Sequence, residues 1–178
     1  MRKVAQRKML RALKVILPML YLGMLVFIFS NSLQTGAQSS QTSSRVVDMV
    51  QAIFKAIAPN SKIATATGED YLKLHQIIRV LAHFTEFAVL GGLVACCCLV
   101  YSAPKKYQYL AMVSTAIMPI IDETLQCFTV NRAAQFLDVC IDFCGGAVGL
   151  ALVVGVYYLV RCHRNKKNPQ NNPIKEEE

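Results

Sequence analysis

Residues 136–160 read FLDVCIDFCGGAVGLALVVGVYYLV, an apolar stretch with two aspartates close to its start. The stretch is long enough to cross the hydrocarbon core of a bilayer, which takes about 20 predominantly apolar residues in a helix. Asp138 and Asp142 are costly inside that core, by about 2.5–3.5 kcal/mol each, so such residues usually pair, face water or serve a function. The stretch therefore predicts a membrane helix whose polar groups have a role.

Three other segments of the chain are also apolar enough to cross a bilayer. They predict transmembrane helices at about 13–30, 80–100 and 109–128, before the one at 136–160. With 54% hydrophobic and 17% charged residues and a mean hydropathy of +0.37, the 178-residue chain is too apolar for a soluble domain. We therefore predict an all-α fold, a polytopic membrane bundle of four transmembrane helices.

The outer segment 31–79 lies between the first two predicted spans and begins with polar residues. Apolar residues then recur at helical spacing from Val46 to Ile57, ahead of Pro59. This spacing predicts an amphipathic helix on the extracytoplasmic side. The predicted domain order is a basic N-terminus at 1–12, a membrane domain at 13–160 and a tail at 161–178.

The distribution of basic residues predicts the orientation. Six Lys and Arg residues lie within 1–14, two lie in the loop 102–108, and five follow Val160. By the positive-inside rule both termini and this loop are cytoplasmic, and the protein is a multi-pass protein of the plasma membrane. The formal net charge of +8 is accordingly interpreted as a topology signal rather than as a surface for nucleic acid.

Polar residues of the four predicted spans fall at one level, near the extracytoplasmic end, when a rise of about 1.5 Å per residue is applied. Within the second span, Arg79, His83 and Glu86 share one helix face. The candidate pocket at this level comprises Ser30, Ser32, Gln34, Arg79, His83, Glu86, Asp122, Glu123, Gln126, Arg132, Asp138 and Asp142. A plainer interpretation is that these residues only hold the helices together, with Arg79 and Arg132 neutralising nearby carboxylates.

Four motifs in this order resemble the VanZ-like membrane proteins. They are FSNSLQ at 29–34, RVLAHFTEF at 79–87, DETLQ at 122–126 followed by Asn131 and Arg132, and DVCID at 138–142 followed by Gly145. The resemblance covers most of residues 15–160. In that family the last motif usually ends in Asn, so Asp142 is a departure from the pattern.

The resemblance implies a role in the response of a bacterial cell envelope to glycopeptide antibiotics of the teicoplanin type. We expect an extracytoplasmic pocket that binds the antibiotic, a membrane lipid or a lipid-linked wall precursor. One alternative is an intramembrane enzyme that acts on a lipid or wall precursor with His83 and Glu86 as acid and base. Another is a small oligomeric transporter, and a homo-oligomer is compatible with all three.

The sequence favours binding over catalysis, because no G-x-S-x-G or HExxH motif is present. We also expect no cofactor and no metal. Cys127, Cys140 and Cys144 lie near the outer level, where a disulfide or a metal ligand is conceivable, but no CxxC pair or other metal-ligand spacing supports either.

The predicted orientation can be tested with single cysteines in a cysteine-free background. Because charge bias places the outer segment outside, Ser44→Cys and Gly68→Cys should react with a membrane-impermeant thiol reagent added to intact cells. Lys106→Cys should react only after the cells are opened. Labelling of the cysteine at position 106 in intact cells would overturn the topology.

Overall fold

The structure is a computed structural model that describes residues 2–102, 105–132 and 135–167. These residues form five helices and no strand, so the predicted all-α class is confirmed. The helices are α1 (Arg2–Ser32), α2 (Gly36–Ile57), α3 (Gly68–Tyr101), α4 (Lys105–Cys127) and α5 (Phe136–Lys167). Part of the predicted 102–108 loop and most of the predicted tail, residues 168–178, lie outside the described residues.

Three of the helices are long and apolar enough to cross a membrane. They are Val4–Ser32 within α1, Gly68–Tyr101, and Phe136–Lys166 within α5. Within the part of the chain that is described, α4 does not reach the same apolar character, because polar residues such as Thr115 and Asp122 interrupt its sequence. Length and composition thus support three of the four predicted spans, and the fourth predicted span needs a separate argument.

Helix α3 begins at Gly68, well before the span predicted to start at Val80. Its 34 residues correspond to about 50 Å, whereas a hydrocarbon core is about 30 Å thick. The helix extends upstream because Glu69 and Asp70 lie in its first turn, where acidic side chains interact favourably with the helix dipole. The polar first part of α3 therefore extends beyond the apolar segment, and the connection before α3 is shorter than predicted.

Helix α2 covers the residues for which a helix was expected and starts ten residues earlier, at Gly36 rather than Val46. A capping box between Thr35 and Gln38 fixes that start. Helix α2 packs against the first part of α3, where the Tyr71 hydroxyl donates to Asp48 over 3.2 Å. Among its apolar residues, Val47 is buried but Ile57 is 78% exposed, so the helix has an apolar surface that the protein does not cover.

The burial pattern is inverted relative to that of a soluble protein. Large apolar side chains such as Leu20, Phe27 and Leu152 are exposed, whereas several polar side chains are buried. The buried polar and charged residues are Ser32, Gln51, Thr115, Asp122, Glu123, Gln126 and Asp142. Lipid accepts apolar side chains at the surface and favours the placement of ionisable ones in the bundle interior. The fold is therefore that of a membrane protein.

Glycines allow α3 and α5 to touch backbone to backbone. A Cβ atom added at Gly145 would meet the carbonyl oxygen of Phe84, and one added at Gly149 would meet that of Ala88. Gly91 of α3 lies equally close to the carbonyl of Gly146. Small residues at a spacing of four are a recurring means of close helix packing in membranes. The contact between α3 and α5 is the most extensive between any two helices described here.

This packing predicts opposite effects for two glycines of the same helix. Gly149→Ala places a methyl group against the Ala88 carbonyl, so it should lower the free energy of unfolding by about 1–3 kcal/mol. Gly155→Ala is the matched control, since nothing lies within 4 Å of its added Cβ and alanine favours the helix by about 1 kcal/mol. Denaturant unfolding of the purified protein in micelles measures both, and equal stability of the two variants would contradict the close contact.

Candidate functional site

Asp122 of α4 accepts two side-chain hydrogen bonds at the end of the bundle where the predicted pocket residues lie. Its side chain is fully buried and accepts one hydrogen bond from the hydroxyl of Ser32, the last residue of α1. Its other oxygen accepts a hydrogen bond from Gln126 Nε2, one turn further along α4, over 3.1 Å. Because each bond satisfies a different carboxylate oxygen, α1 and α4 hold this group in a fixed position.

Glu86 of α3 is connected to α1 by an amide. The side-chain nitrogen of Asn31 donates to Glu86 Oε1 over 3.2 Å, and Gln34 donates in turn to Asn31 over 3.4 Å. Asn31 was not among the candidate pocket residues, although it lies between Ser30 and Ser32 in the FSNSLQ motif. The sequence did contain a signal for Asn31, because the helical rise that placed Ser30 and Ser32 at the level of the predicted pocket places Asn31 there as well.

Glu123 connects α4 to the start of α5. Its Oε1 atom accepts a hydrogen bond of 2.6 Å from the backbone N–H of Gln135, which directly precedes α5. The side chain is 4% exposed. This contact satisfies one of the unpaired N–H groups at a helix N-terminus and places the carboxylate where the helix dipole favours negative charge.

His83 and Asp142 face each other across the contact between α3 and α5. With Arg79 and Asp138 they line a cavity of about 20 Å³, which is room for about one water molecule. Asp142 is 1% exposed. No hydrogen-bond partner reaches either of its carboxylate oxygens or the Nδ1 atom of His83. This part of the site is therefore enclosed but unsatisfied.

We call the group of polar residues at this end of the bundle the polar cluster; its members are Asn31, Ser32, Arg79, His83, Glu86, Asp122, Glu123, Gln126, Arg132, Asp138 and Asp142. Several of its buried atoms have no hydrogen-bond partner: His83 Nδ1, Glu86 Oε2, Glu123 Oε2, Arg132 Nε and Nη1, and both oxygens of Asp142. Buried polar atoms without partners are uncommon in proteins and call for an explanation such as a bound water, ion or ligand.

Within the described residues, neither Arg79 nor Arg132 lies within ion-pair distance of a carboxylate of the polar cluster. Among the described residues, Lys73 and Asp70 form an ion pair on the exposed part of α3, away from the polar cluster. The partners of Glu86 and Glu123 are an amide and a backbone N–H, as given above. Direct charge pairing therefore does not account for the polar cluster.

Arg132 lies in the connection between α4 and α5, directly after Asn131, whose φ of 59° is in the left-handed region that Asn tolerates. Burial lowers the pKa of the Arg132 guanidinium and the nearby Arg79 lowers it further, while Asp122 and Glu123 raise it. An arginine stays protonated under such conditions, so Arg132 brings a positive charge with two unpartnered nitrogen atoms to the edge of the polar cluster.

Some predicted residues lie apart from the polar cluster. Ser30 is exposed, and its hydroxyl donates to the carbonyl of Val26 in its own helix, over 2.6 Å. Gln34 touches the cluster only through Asn31. All seven cysteines are free, so Cys127, Cys140 and Cys144 form no disulfide.

A larger cavity lies at the other end of the bundle. It has a volume of about 540 Å³ between α3, α4 and α5, and residues such as Val94, Leu150 and Tyr157 line it. None of the candidate pocket residues is among its lining residues. This cavity and the polar cluster are thus separate.

An apolar exterior around a buried polar cluster, built from long helices, defines a polytopic membrane protein. Its family follows from the sequence model of VanZ/LLP1, which matches residues 17–160. The chain belongs to the VanZ/LLP1 family, as the four motifs had indicated. No curated protein and no solved structure matches the chain.

Two serines of α1 provide a test of the contact to Asp122. Ser32→Ala removes a buried hydrogen bond to a carboxylate, so the free energy of unfolding should fall by about 1.5–3 kcal/mol. Ser30→Ala is the matched control and should change it by less than about 0.5 kcal/mol, because Ser30 is exposed and bonds only to its own helix. Unfolding in micelles measures both variants; a loss at Ser30 as large as that at Ser32 would count against the contact.

Proposed function

We propose that this protein crosses the plasma membrane four times, with both termini in the cytoplasm, and binds an amphipathic ligand of the cell envelope at the polar cluster. The fourth span is α4. Its 23 residues correspond to about 35 Å, enough to cross the hydrocarbon core. Thr115, Asp122 and Gln126 face the bundle interior, while Met112 and Ile120 are exposed. The polar residues that lower its hydropathy are therefore shielded from lipid.

The proposed orientation rests on charge. The basic residues before Val15 and after Val160 favour the cytoplasm, which leaves the polar cluster and α2 on the outer side. The apolar residues that α2 leaves exposed suit a helix at the outer membrane surface. The backbone N–H of Gly36 donates to the carbonyl of Val130, so α2 begins beside the connection that carries Arg132.

The binding proposal rests on one observation: the polar cluster contains both hydrogen-bond donors and hydrogen-bond acceptors that are buried and have no partner. Arg132 offers two N–H groups, and Glu86 and Glu123 each offer a carboxylate oxygen. A matching headgroup presents an anionic oxygen to Arg132 and hydroxyl or amine donors to the glutamates. Such a ligand satisfies groups that the protein leaves unsatisfied, and its apolar part remains in the bilayer.

Lipids and lipid-linked wall precursors combine a polar headgroup with an apolar chain in this way. An amphipathic glycopeptide of the teicoplanin type is a further candidate, and membership of the VanZ/LLP1 family favours a role in the response to such antibiotics. The cavity of about 20 Å³ inside the polar cluster is too small for a whole headgroup. We therefore place the ligand at the edge of the cluster, near Arg132 and Glu123.

Replacing Arg132 tests this proposal in cells that express the chain. Arg132→Gln removes the positive charge from the edge of the cluster. If expression of the wild type changes teicoplanin susceptibility, expression of this variant should not, although the variant reaches the same abundance in the membrane. Arg45→Gln is the matched control, because Arg45 is exposed on α2 and should leave the phenotype as in the wild type. The minimal inhibitory concentration and the amount of protein in the membrane are the measurements.

Two outcomes of this experiment would contradict the proposal. One is a wild-type phenotype for Arg132→Gln at normal abundance. The other is a covalently altered lipid or wall precursor that appears with the wild type and vanishes with His83→Gln and Glu86→Gln, which would establish the enzyme alternative. Lipid and wall-precursor composition is therefore measured in the same strains.

A further inference from the structure

We propose that His83, Asp122 and Asp142 form a binding site for one divalent transition-metal ion. The three side chains come from α3, α4 and α5 and meet in the polar cluster. Imidazole nitrogen and carboxylate oxygen are a common ligand set for ions such as Zn²⁺ and Mn²⁺. The site is distinct from the edge of the cluster at Arg132 and does not depend on the ligand proposed there.

The distances suit an ion after a small adjustment. One ligand atom from each of the three residues lies within 4.8 Å of the other two. Ligand atoms at about 2.0–2.2 Å from a tetrahedral ion are roughly 3.5 Å apart, so the three atoms need to approach by about 1 Å. Rotation of the side chains supplies a movement of that size without a change in the helices.

Asp142 provides an independent observation that points to a ligand. Its side chain is 1% exposed and points into the cavity that it shares with His83, and neither carboxylate oxygen has a hydrogen-bond partner. A buried carboxylate without partners is expensive, and coordination of a metal is one of the few arrangements that stabilise it. The Nδ1 atom of His83 on α3 is also buried and without a partner, so a metal ion could stabilise it in the same way.

The charges of the three ligands also favour a divalent cation. Two carboxylates balance its two positive charges, and a neutral imidazole completes the set. The hydrogen bonds from Ser32 and Gln126 to Asp122 hold that ligand in place while leaving lone pairs for the ion. In the part of the chain that is described, no guanidinium forms an ion pair with Asp122 or Asp142.

Metal binding is measured on the full chain, purified in micelles without a polyhistidine tag and stripped with a chelator. The protein is incubated with Zn²⁺ or with Mn²⁺, separated from free metal and assayed for bound metal per chain. We expect about one ion per wild-type chain, and binding that is about tenfold weaker or more in His83→Gln and Asp142→Asn.

Matched controls distinguish this site from adventitious binding. His75→Gln changes a half-buried histidine two turns before His83, whose ring contacts the Ser40 carbonyl, and Asp48→Asn changes an exposed aspartate of α2. Both should bind metal like the wild type. All variants retain the seven cysteines, so any metal held by thiols is the same in each. Equal binding by the wild type and by both ligand variants, or no binding by the wild type, would overturn the proposal.

Thermal unfolding provides a second measurement that does not require every variant to be as stable as the wild type. Removing metal should lower the Tm of the wild type, since an ion that binds only the folded state stabilises it. The Tm of Asp142→Asn should be the same with and without metal. An equal response of the two proteins to added metal would show that the ion binds elsewhere.

Discussion

The backbone contact between α3 and α5 is the constraint on which the polar cluster depends. Gly145 and Gly149 have no Cβ, so the carbonyl groups of Phe84 and Ala88 can approach α5 directly. Asp142 lies one turn before Gly145 in α5, and His83 directly precedes Phe84 in α3. The short distance between the two helices therefore brings these side chains to one cavity. A wider separation would place lipid or water there instead. The glycines thus determine the chemistry of the site as well as the packing of the helices.

Burial of so many ionisable groups is compatible with a stable bundle because hydrogen bonds offset part of its cost. Asp122 receives two hydrogen bonds, and Glu86 and Glu123 receive one each. In hydrocarbon these groups have no water as an alternative partner, so separating the helices would expose them at a cost of a few kcal/mol each. The bonds join α1 to α3, α1 to α4, and α4 to the start of α5, and they position the helices relative to one another.

The sequence predicted the helices and the common level of their polar residues, because both follow from local periodicity and the fixed rise of a helix. It did not predict the start of α3 at Gly68, since hydropathy reports where a helix meets lipid and not where the helix begins. It also did not predict which polar residues would pair. The partner of Glu86 is Asn31 rather than an arginine, and that choice depends on the rotation of α1 against α3, which no local pattern encodes. The three residues of the proposed metal site also form no recognisable sequence motif. His83, Asp122 and Asp142 lie on three different helices, and only the packing of those helices brings them together.

The distribution of satisfied and unsatisfied atoms divides the polar cluster into two parts. On the α1 and α4 side, Ser32, Asp122 and Gln126 bond to one another and are almost fully buried. On the α3 and α5 side, His83 and Asp142 have buried atoms without partners, and Arg132 in the connection before α5 has two more. A cluster that served only to hold helices together would be expected to satisfy both sides, because an unsatisfied polar group destabilises the fold. The bonded group of Ser32, Asp122 and Gln126 provides a rigid support that also positions Asp122 beside His83 and Asp142. The atoms without partners, which include Glu123 Oε2 on α4, are the ones that an ion or a headgroup completes.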